Sequence, residues 1–81
     1  MASNRPIREM RLGSIRLAIW ENTSQSHGVW FSVSIARLYK DNERWKESSS
    51  FRRDELPVVA KLMEMAYAWI WDEEQRRDHR S

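Results

Sequence analysis

Two stretches of the chain carry most of their large aliphatic side chains at alternate positions, as half-buried β-strands do. In residues 14–21, Ile15, Leu17 and Ile19 fall on one face. In residues 29–40 the odd-numbered positions hold the larger apolar set and are predicted to face the core. That set is Val29, Phe31, Val33, Ile35, Arg37 and Tyr39.

Two shorter segments complete a predicted sheet of four strands. Residues 7–12 are mixed, and residues 44–51 alternate weakly, with a polar run that suggests an edge strand. Gly13-Ser14 and Asp41-Asn42-Glu43 are turn sequences, and the polar residues 22–28 form a loop. These short connections predict that consecutive strands pair antiparallel.

A single long helix is predicted to follow the strands. Asp54 is a suitable N-cap, and Pro57 is tolerated in the first turn, where the amides have no partner within the helix. We therefore expect an α+β fold, a four-stranded antiparallel β-meander followed by one long C-terminal helix packed on one face of the sheet. The predicted domain spans residues 7–75, with a flexible N-terminus at 1–6 and a flexible basic tail at 76–81.

The helix carries two apolar stripes. The first is expected to cover the sheet and contains Leu56, Val59, Ala60, Met63, Ala66, Tyr67 and Ile70. The second is expected to face another copy of the chain as a dimer interface and contains Val58, Leu62, Met65 and Trp69. The alternative is that the sheet curls around the helix and covers both stripes. An 81-residue domain without disulfides often needs such a partner.

The sheet face opposite the helix combines aromatic, basic and small hydroxyl side chains. Such a surface can stack bases on indole rings and neutralise phosphates with Arg and Lys. The residues predicted to bind nucleic acid there are Arg16, Trp20, Trp30, Ser32, Ser34, Arg44 and Lys46. Alternatively, Trp20 and Trp30 pack against loops, termini or a partner subunit. On the core face, Arg37 is expected to pair with Asp54 or Glu55 of the helix, and the alternative is that it helps to bind a ligand.

Charge is unevenly distributed along the chain. Residues 1–53 contain ten Arg and Lys against five Asp and Glu, whereas residues 54–81 contain four against seven. Arg predominates, which favours bidentate contacts to phosphate or carboxylate. The basic half coincides with the predicted sheet.

Enzymatic function has little support in the sequence. The chain has no cysteine, no glycine-rich phosphate loop, and two histidines without a recognisable catalytic or metal-binding partner. We expect no catalytic residues, metal, cofactor or small-molecule substrate. No segment has the signature of a membrane span or signal peptide, so the expected location is the cytoplasm.

Several short motifs resemble a family of small, mostly uncharacterised bacterial proteins. The matching residues are Trp20-Glu21-Asn22, Arg37-Leu38-Tyr39-Lys40-Asp41 and Asp54-Glu55-Leu56, within a resemblance that covers about residues 14–71. The ββββα order is also similar to the single-stranded DNA-binding fold of positive cofactor four and the Whirly proteins. That resemblance implies nucleic-acid binding on the sheet and association through helices.

Two function hypotheses follow. The first is a homodimeric module that binds single-stranded nucleic acid, DNA more than RNA, on the outer face of the sheet. The second is a protein-interaction or assembly module that does not bind nucleic acid.

Overall fold

The computed structural model describes residues 5–78, which form a four-stranded antiparallel meander and one long helix, as expected. The strands lie in chain order within one sheet. Their bounds are β1 (Arg8–Leu12), β2 (Ile15–Ser24), β3 (Gly28–Asp41) and β4 (Arg44–Ser48). A 3-10 turn (Arg53–Glu55) leads into helix α1 (Leu56–Asp78). Strand β4 is shorter than predicted and α1 is longer.

Left-handed backbone conformations mark the three hairpin connections. Gly13 (φ 61°) joins β1 to β2, and Gly28 (φ 72°) closes the loop between β2 and β3. The turn between β3 and β4 contains only Asn42 (φ 50°) and Glu43 (φ 66°). Positive φ at both central residues is the signature of a type I′ turn, whose twist matches that of the flanking strands.

Glu43→Gly is expected to raise the free energy of unfolding by about 1 kcal/mol. A residue with a Cβ loses roughly this much in the left-handed conformation, and glycine, which has no Cβ, does not. Urea denaturation monitored by circular dichroism measures the change. Gly13→Ala, which introduces a Cβ at φ 61° with no atom within 4 Å of it, provides the matched control and should destabilise. Equal or lower stability for Glu43→Gly would contradict the turn assignment.

The hydrophobic core is formed where the middle of β2 meets the middle of α1. Its buried members are Ile15, Leu17, Ile19, Leu62 and Ala66, and Leu17, Ile19 and Leu62 are completely inaccessible to solvent. Full burial of each large aliphatic side chain contributes roughly 1.5–3 kcal/mol. Helix α1 lies mainly over β1 and β2, with fewer contacts to β3.

The predicted assignment of the helix faces is wrong. The stripe assigned to a dimer interface faces the sheet: Leu62 is fully buried, and Val58 and Trp69 pack against the core. Met65 is half-buried. From the stripe assigned to the sheet, Val59, Ala66 and Ile70 do contact or join the core. Its other members, Leu56, Ala60, Met63 and Tyr67, are exposed.

Polar contacts at both ends of the helix accompany this rotation. At the start, Arg37 Nε lies 3.5 Å from Glu55 Oε1, which confirms the predicted pairing. At the end, Arg77 Nη2 lies 2.9 Å from Glu21 Oε1 on β2. Helical residues that are four or seven positions apart lie on the same face, and this spacing connects residues 55, 62, 66, 73 and 77. The rotation that permits both ion pairs therefore also turns Leu62 and Ala66 towards β2.

The start of the helix also differs from the prediction. Asp54 is not the N-cap but lies inside the 3-10 turn, and its side chain is 92% exposed. The carboxylate that satisfies a backbone amide here belongs to Glu55, whose Oε1 accepts a 2.7 Å hydrogen bond from the Arg52 amide. Glu55 therefore both caps the turn and pairs with Arg37.

The end of the helix is held by Arg77. Its Nε donates to Glu73 Oε2 at 3.0 Å, and its guanidinium lies 5.0 Å from the centre of the Phe31 ring. Hydrogen bonds to Glu21 and then Glu73 raise the pKa of Arg77 above its usual value. Residues 76–78 of the predicted flexible tail are therefore helical, whereas residues 1–4 and 79–81 of the predicted flexible ends lie outside the described residues. No helix in the described chain has the length and apolarity that crossing a bilayer requires.

Candidate functional site

The sheet face turned away from α1, called the outer face below, carries five of the seven residues predicted to bind nucleic acid. Directly opposed residues of antiparallel strands project to the same side. Strand register places Arg16 opposite Ala36, and Trp20 opposite Ser32. The five residues that share the outer face are Arg16, Trp20, Trp30, Ser32 and Ser34.

The other two predicted residues, Arg44 and Lys46, lie on the helix side of the sheet, so their assignment is wrong. Arg44 is opposite Asp41, and Lys46 is opposite Tyr39. The two-residue turn requires this register, because it makes Asp41 and Arg44 direct neighbours. Ser48 follows the same parity, and Lys46 Nζ pairs with Asp41 Oδ2 at 3.1 Å.

Strand β4 instead presents Trp45 and Glu47 on the outer face. Trp45 lies opposite Lys40 and is 67% exposed. From β1, Arg11 also projects outward, since it lies opposite Arg16. Sequence reasoning missed Arg11, Lys40 and Trp45. For Lys40 the even-numbered parity of β3 was the signal that would have found it, and for Trp45 it was the length of the Asn42-Glu43 turn.

Arg16 is at the centre of a cluster of three charges. Its Nη2 donates to Glu47 Oε1 at 2.6 Å, and its Nε lies 3.8 Å from Glu9 Oε1. All three side chains remain about 40–55% exposed, so solvent screens the pairs and each contributes no more than about 1 kcal/mol. A phosphate at Arg16 would have to compete with two carboxylates.

Hydroxyl groups position the polar and aromatic side chains of this face. Trp20 Nε1 donates to Ser34 Oγ at 2.9 Å, and Asn22 Nδ2 donates to Ser32 Oγ at 2.9 Å. The serines therefore fix the orientation of the indole and the amide on β2. Trp30, by contrast, is 42% exposed, and its ring lies roughly perpendicular to that of His27, with 6.3 Å between the ring centres.

A groove of about 740 Å³ crosses the outer face beside Trp20. This volume is within the range of ordinary ligand sites, roughly 300–1,000 Å³. Small side chains at Ala18 and Ala36 allow close approach to the sheet. Its lining comprises Pro6, Glu9, Arg16, Ala18, Trp20, Ser34, Ile35, Ala36, Glu47, Ser48 and Ser49.

The charge of the outer face is close to balanced. Arg11, Arg16 and Lys40 are opposed by Glu9 and Glu47, a surplus of one positive charge. Among residues 5–78, no three His, Asp or Glu side chains are grouped so that they could hold a metal ion. What distinguishes the face is its three Trp residues, from β2, β3 and β4.

Comparisons with family models, curated proteins and solved structures give no match for this chain. The likeness to positive cofactor four and the Whirly proteins therefore rests on element order alone, and the likeness to the small bacterial proteins rests on the short motifs.

Proposed function

We propose that the protein is a non-catalytic module that binds single-stranded nucleic acid on the outer face of the sheet. The observation that carries this proposal is the pair Trp20 and Trp30. They lie on adjacent strands and on the same face, at diagonal positions of the ladder, because Trp20 opposes Ser32 and Trp30 opposes Asn22. Diagonal neighbours are roughly 7–8 Å apart, so both indoles are available to one extended strand.

Base stacking supplies most of the expected affinity. Each stacked base contributes about 1–3 kcal/mol to binding, and this contribution depends little on the nucleotide sequence. The hydrogen bond to Ser34 holds the Trp20 ring in place before binding, which reduces the entropy lost on complex formation. The groove beside Trp20 provides space next to the ring for a base or sugar.

Phosphate contacts are assigned to Arg11, Lys40 and Arg16, which replace the earlier assignment to Arg44 and Lys46. Lys40 is eight ladder positions from Ser32, so it lies about 27 Å along the sheet from Trp20. An oligonucleotide must therefore extend along β3 to contact both the indoles and Lys40. Arg16 contributes less than a free guanidinium because Glu47 and Glu9 already share its charge.

This proposal predicts weak salt dependence for a nucleic-acid-binding protein. With three phosphate contacts at most, the logarithm of the association constant should fall with the logarithm of the salt concentration at a slope no steeper than about −2. The affinity should therefore fall by no more than about 20-fold between 50 and 200 mM salt. Fluorescence anisotropy of a labelled oligothymidylate of about 20 nucleotides measures this slope. No binding at the lower salt concentration would refute nucleic acid as the ligand.

Two lysines provide a matched pair for the same titration. Lys40→Gln removes a charge on the outer face and should weaken binding and flatten the salt slope by about 0.7. Lys46→Gln removes a charge from the helix side and should change neither. Equal effects of the two variants would contradict the proposed binding face.

A polypeptide partner is the second candidate for the outer face. The observation that favours it is the neutralisation of Arg16 by Glu47 and Glu9, which leaves an aromatic surface with little net charge. Protein interfaces are enriched in Trp and Arg and depleted in uncompensated charge. The oligonucleotide titration separates the candidates, because a polypeptide-binding face should show no affinity for oligothymidylate.

A further inference from the structure

Strand β3 is much longer than the strand that pairs with its outer edge. It has 14 residues, but β4 pairs only with its last five, from Arg37 to Asp41. On that side, residues 28–36 have no neighbouring strand within the described chain. The first two-thirds of β3 therefore form a free sheet edge.

The backbone groups along this edge can be assigned from the ladder. The Leu38 amide donates to Ser14 O at 2.7 Å, so Leu38 directs its amide towards β2. Alternate residues of a strand direct their N–H and C=O groups to opposite sides. The even-numbered residues of β3 therefore bond to β2, whereas Val29, Phe31 and Val33 direct their backbone groups away from the sheet.

The free edge lacks the features by which natural proteins prevent edge pairing. Those features are charged side chains, proline, bulges or a covering element. Residues 28–36 contain no charged residue and no proline. Helix α1 lies mainly over β1 and β2, and on β3 its Trp69 and Arg77 contact Phe31. Val29 and Val33, on either side of Phe31, remain 52% and 36% exposed. An unpaired, uncharged and apolar edge of this length is a surface that another strand would pair with.

We infer that this edge binds the same edge of a second copy of the chain, antiparallel and about a two-fold axis near Phe31. In that register Val29 of each copy lies opposite Val33 of the other, so exposed apolar side chains meet each other. On the outer face Trp30 lies opposite Ser32, a large side chain beside a small one. Residues 28–36 bring no charge to the contact between the two strands. The arrangement uses one surface twice, as a two-fold dimer requires.

The dimer would join the two sheets into one of eight strands and place the two outer faces side by side. This inference does not depend on the proposed function, because it rests on the edge of β3 and not on the indoles. It also differs from the interface predicted from sequence, since Val58, Leu62 and Trp69 face the sheet.

Sedimentation equilibrium of the full chain and two variants tests the inference. Val33→Pro removes an outward N–H without affecting the bonds to β2, and should give a monomer. Val33→Thr keeps the N–H and the branched shape, and should give a dimer. Circular dichroism of both variants is the control for folding. A monomeric wild-type chain at millimolar concentration would overturn the inference.

Amide hydrogen exchange of the wild-type chain gives a test that does not rely on a variant folding. The amides of Val29, Phe31 and Val33 should exchange at least tenfold more slowly at high protein concentration than at low concentration. Those of Trp30 and Ser32, bonded to β2 in either state, should change little. A dimer in which the exchange rates of all five amides are independent of protein concentration would place the interface elsewhere. Loss of the dimer in the Tyr67→Glu variant would instead place the interface on α1.

Discussion

Leu62→Ala should lower the free energy of unfolding by about 2–5 kcal/mol, which is the usual range for a large-to-small change at a fully buried site. Leu62 is 0% exposed and packs in the core with Ile15, Leu17 and Ile19. The loss has two parts, the transfer free energy of the missing methyl groups and the cavity that they leave. Urea denaturation monitored by circular dichroism measures it.

Leu56→Ala is the matched control, because it makes the same chemical change on the same helix. Leu56 is 53% exposed, so the change should cost less than about 1 kcal/mol. For an 81-residue domain of marginal stability, the difference between the two variants decides whether the chain remains folded. If Leu56→Ala were the more damaging variant, the rotation of α1 described above would be wrong.

Replacing both Trp20 and Trp30 with alanine should weaken oligonucleotide binding more than 20-fold. Loss of one stacking contact costs about 1–3 kcal/mol, or roughly 5- to 150-fold in Kd, and the double variant loses two. Trp30→Ala alone is the cleaner variant, since Trp30 is 42% exposed and has little packing to lose. Anisotropy titration with oligothymidylate measures the effect.

Trp71→Ala is the control for this experiment. Trp71 is 53% exposed, like Trp30, but lies on the helix and not on the sheet. It should leave the affinity unchanged. A loss of affinity in Trp71→Ala that matches the loss in Trp30→Ala would move the binding site away from the outer face.

The orientation of β2 and β3 could be predicted from the sequence because both strands are long and carry most of their large aliphatic side chains at alternate positions. Over ten or more residues, a one-residue error in parity would expose every core side chain. Strand β4 has five residues and carries Trp45 among charged neighbours, so hydrophobicity alone gave the wrong face. The two-residue turn before it settles its parity, because Asp41 and Arg44 must be opposed.

The faces of the helix were harder to predict for a different reason. Apolar residues occupy most of its circumference, so their pattern does not select one side. The observed rotation buries Leu62 against β2 and forms ion pairs between distant residues, Arg37 with Glu55 and Arg77 with Glu21, which no local pattern reveals. The neutralisation of Arg16 by Glu47 is of the same kind, because it requires the register of three strands and not a local pattern.

The indole N–H signals of the five tryptophans provide the most direct test of the proposed binding face. Trp20, Trp30 and Trp45 lie on the outer face, and Trp69 and Trp71 lie on the helix. In a ¹H–¹⁵N spectrum recorded during titration with oligothymidylate, the signals of Trp20 and Trp30 should shift, and those of Trp69 and Trp71 should not. Shifts confined to Trp69 and Trp71 would contradict the account.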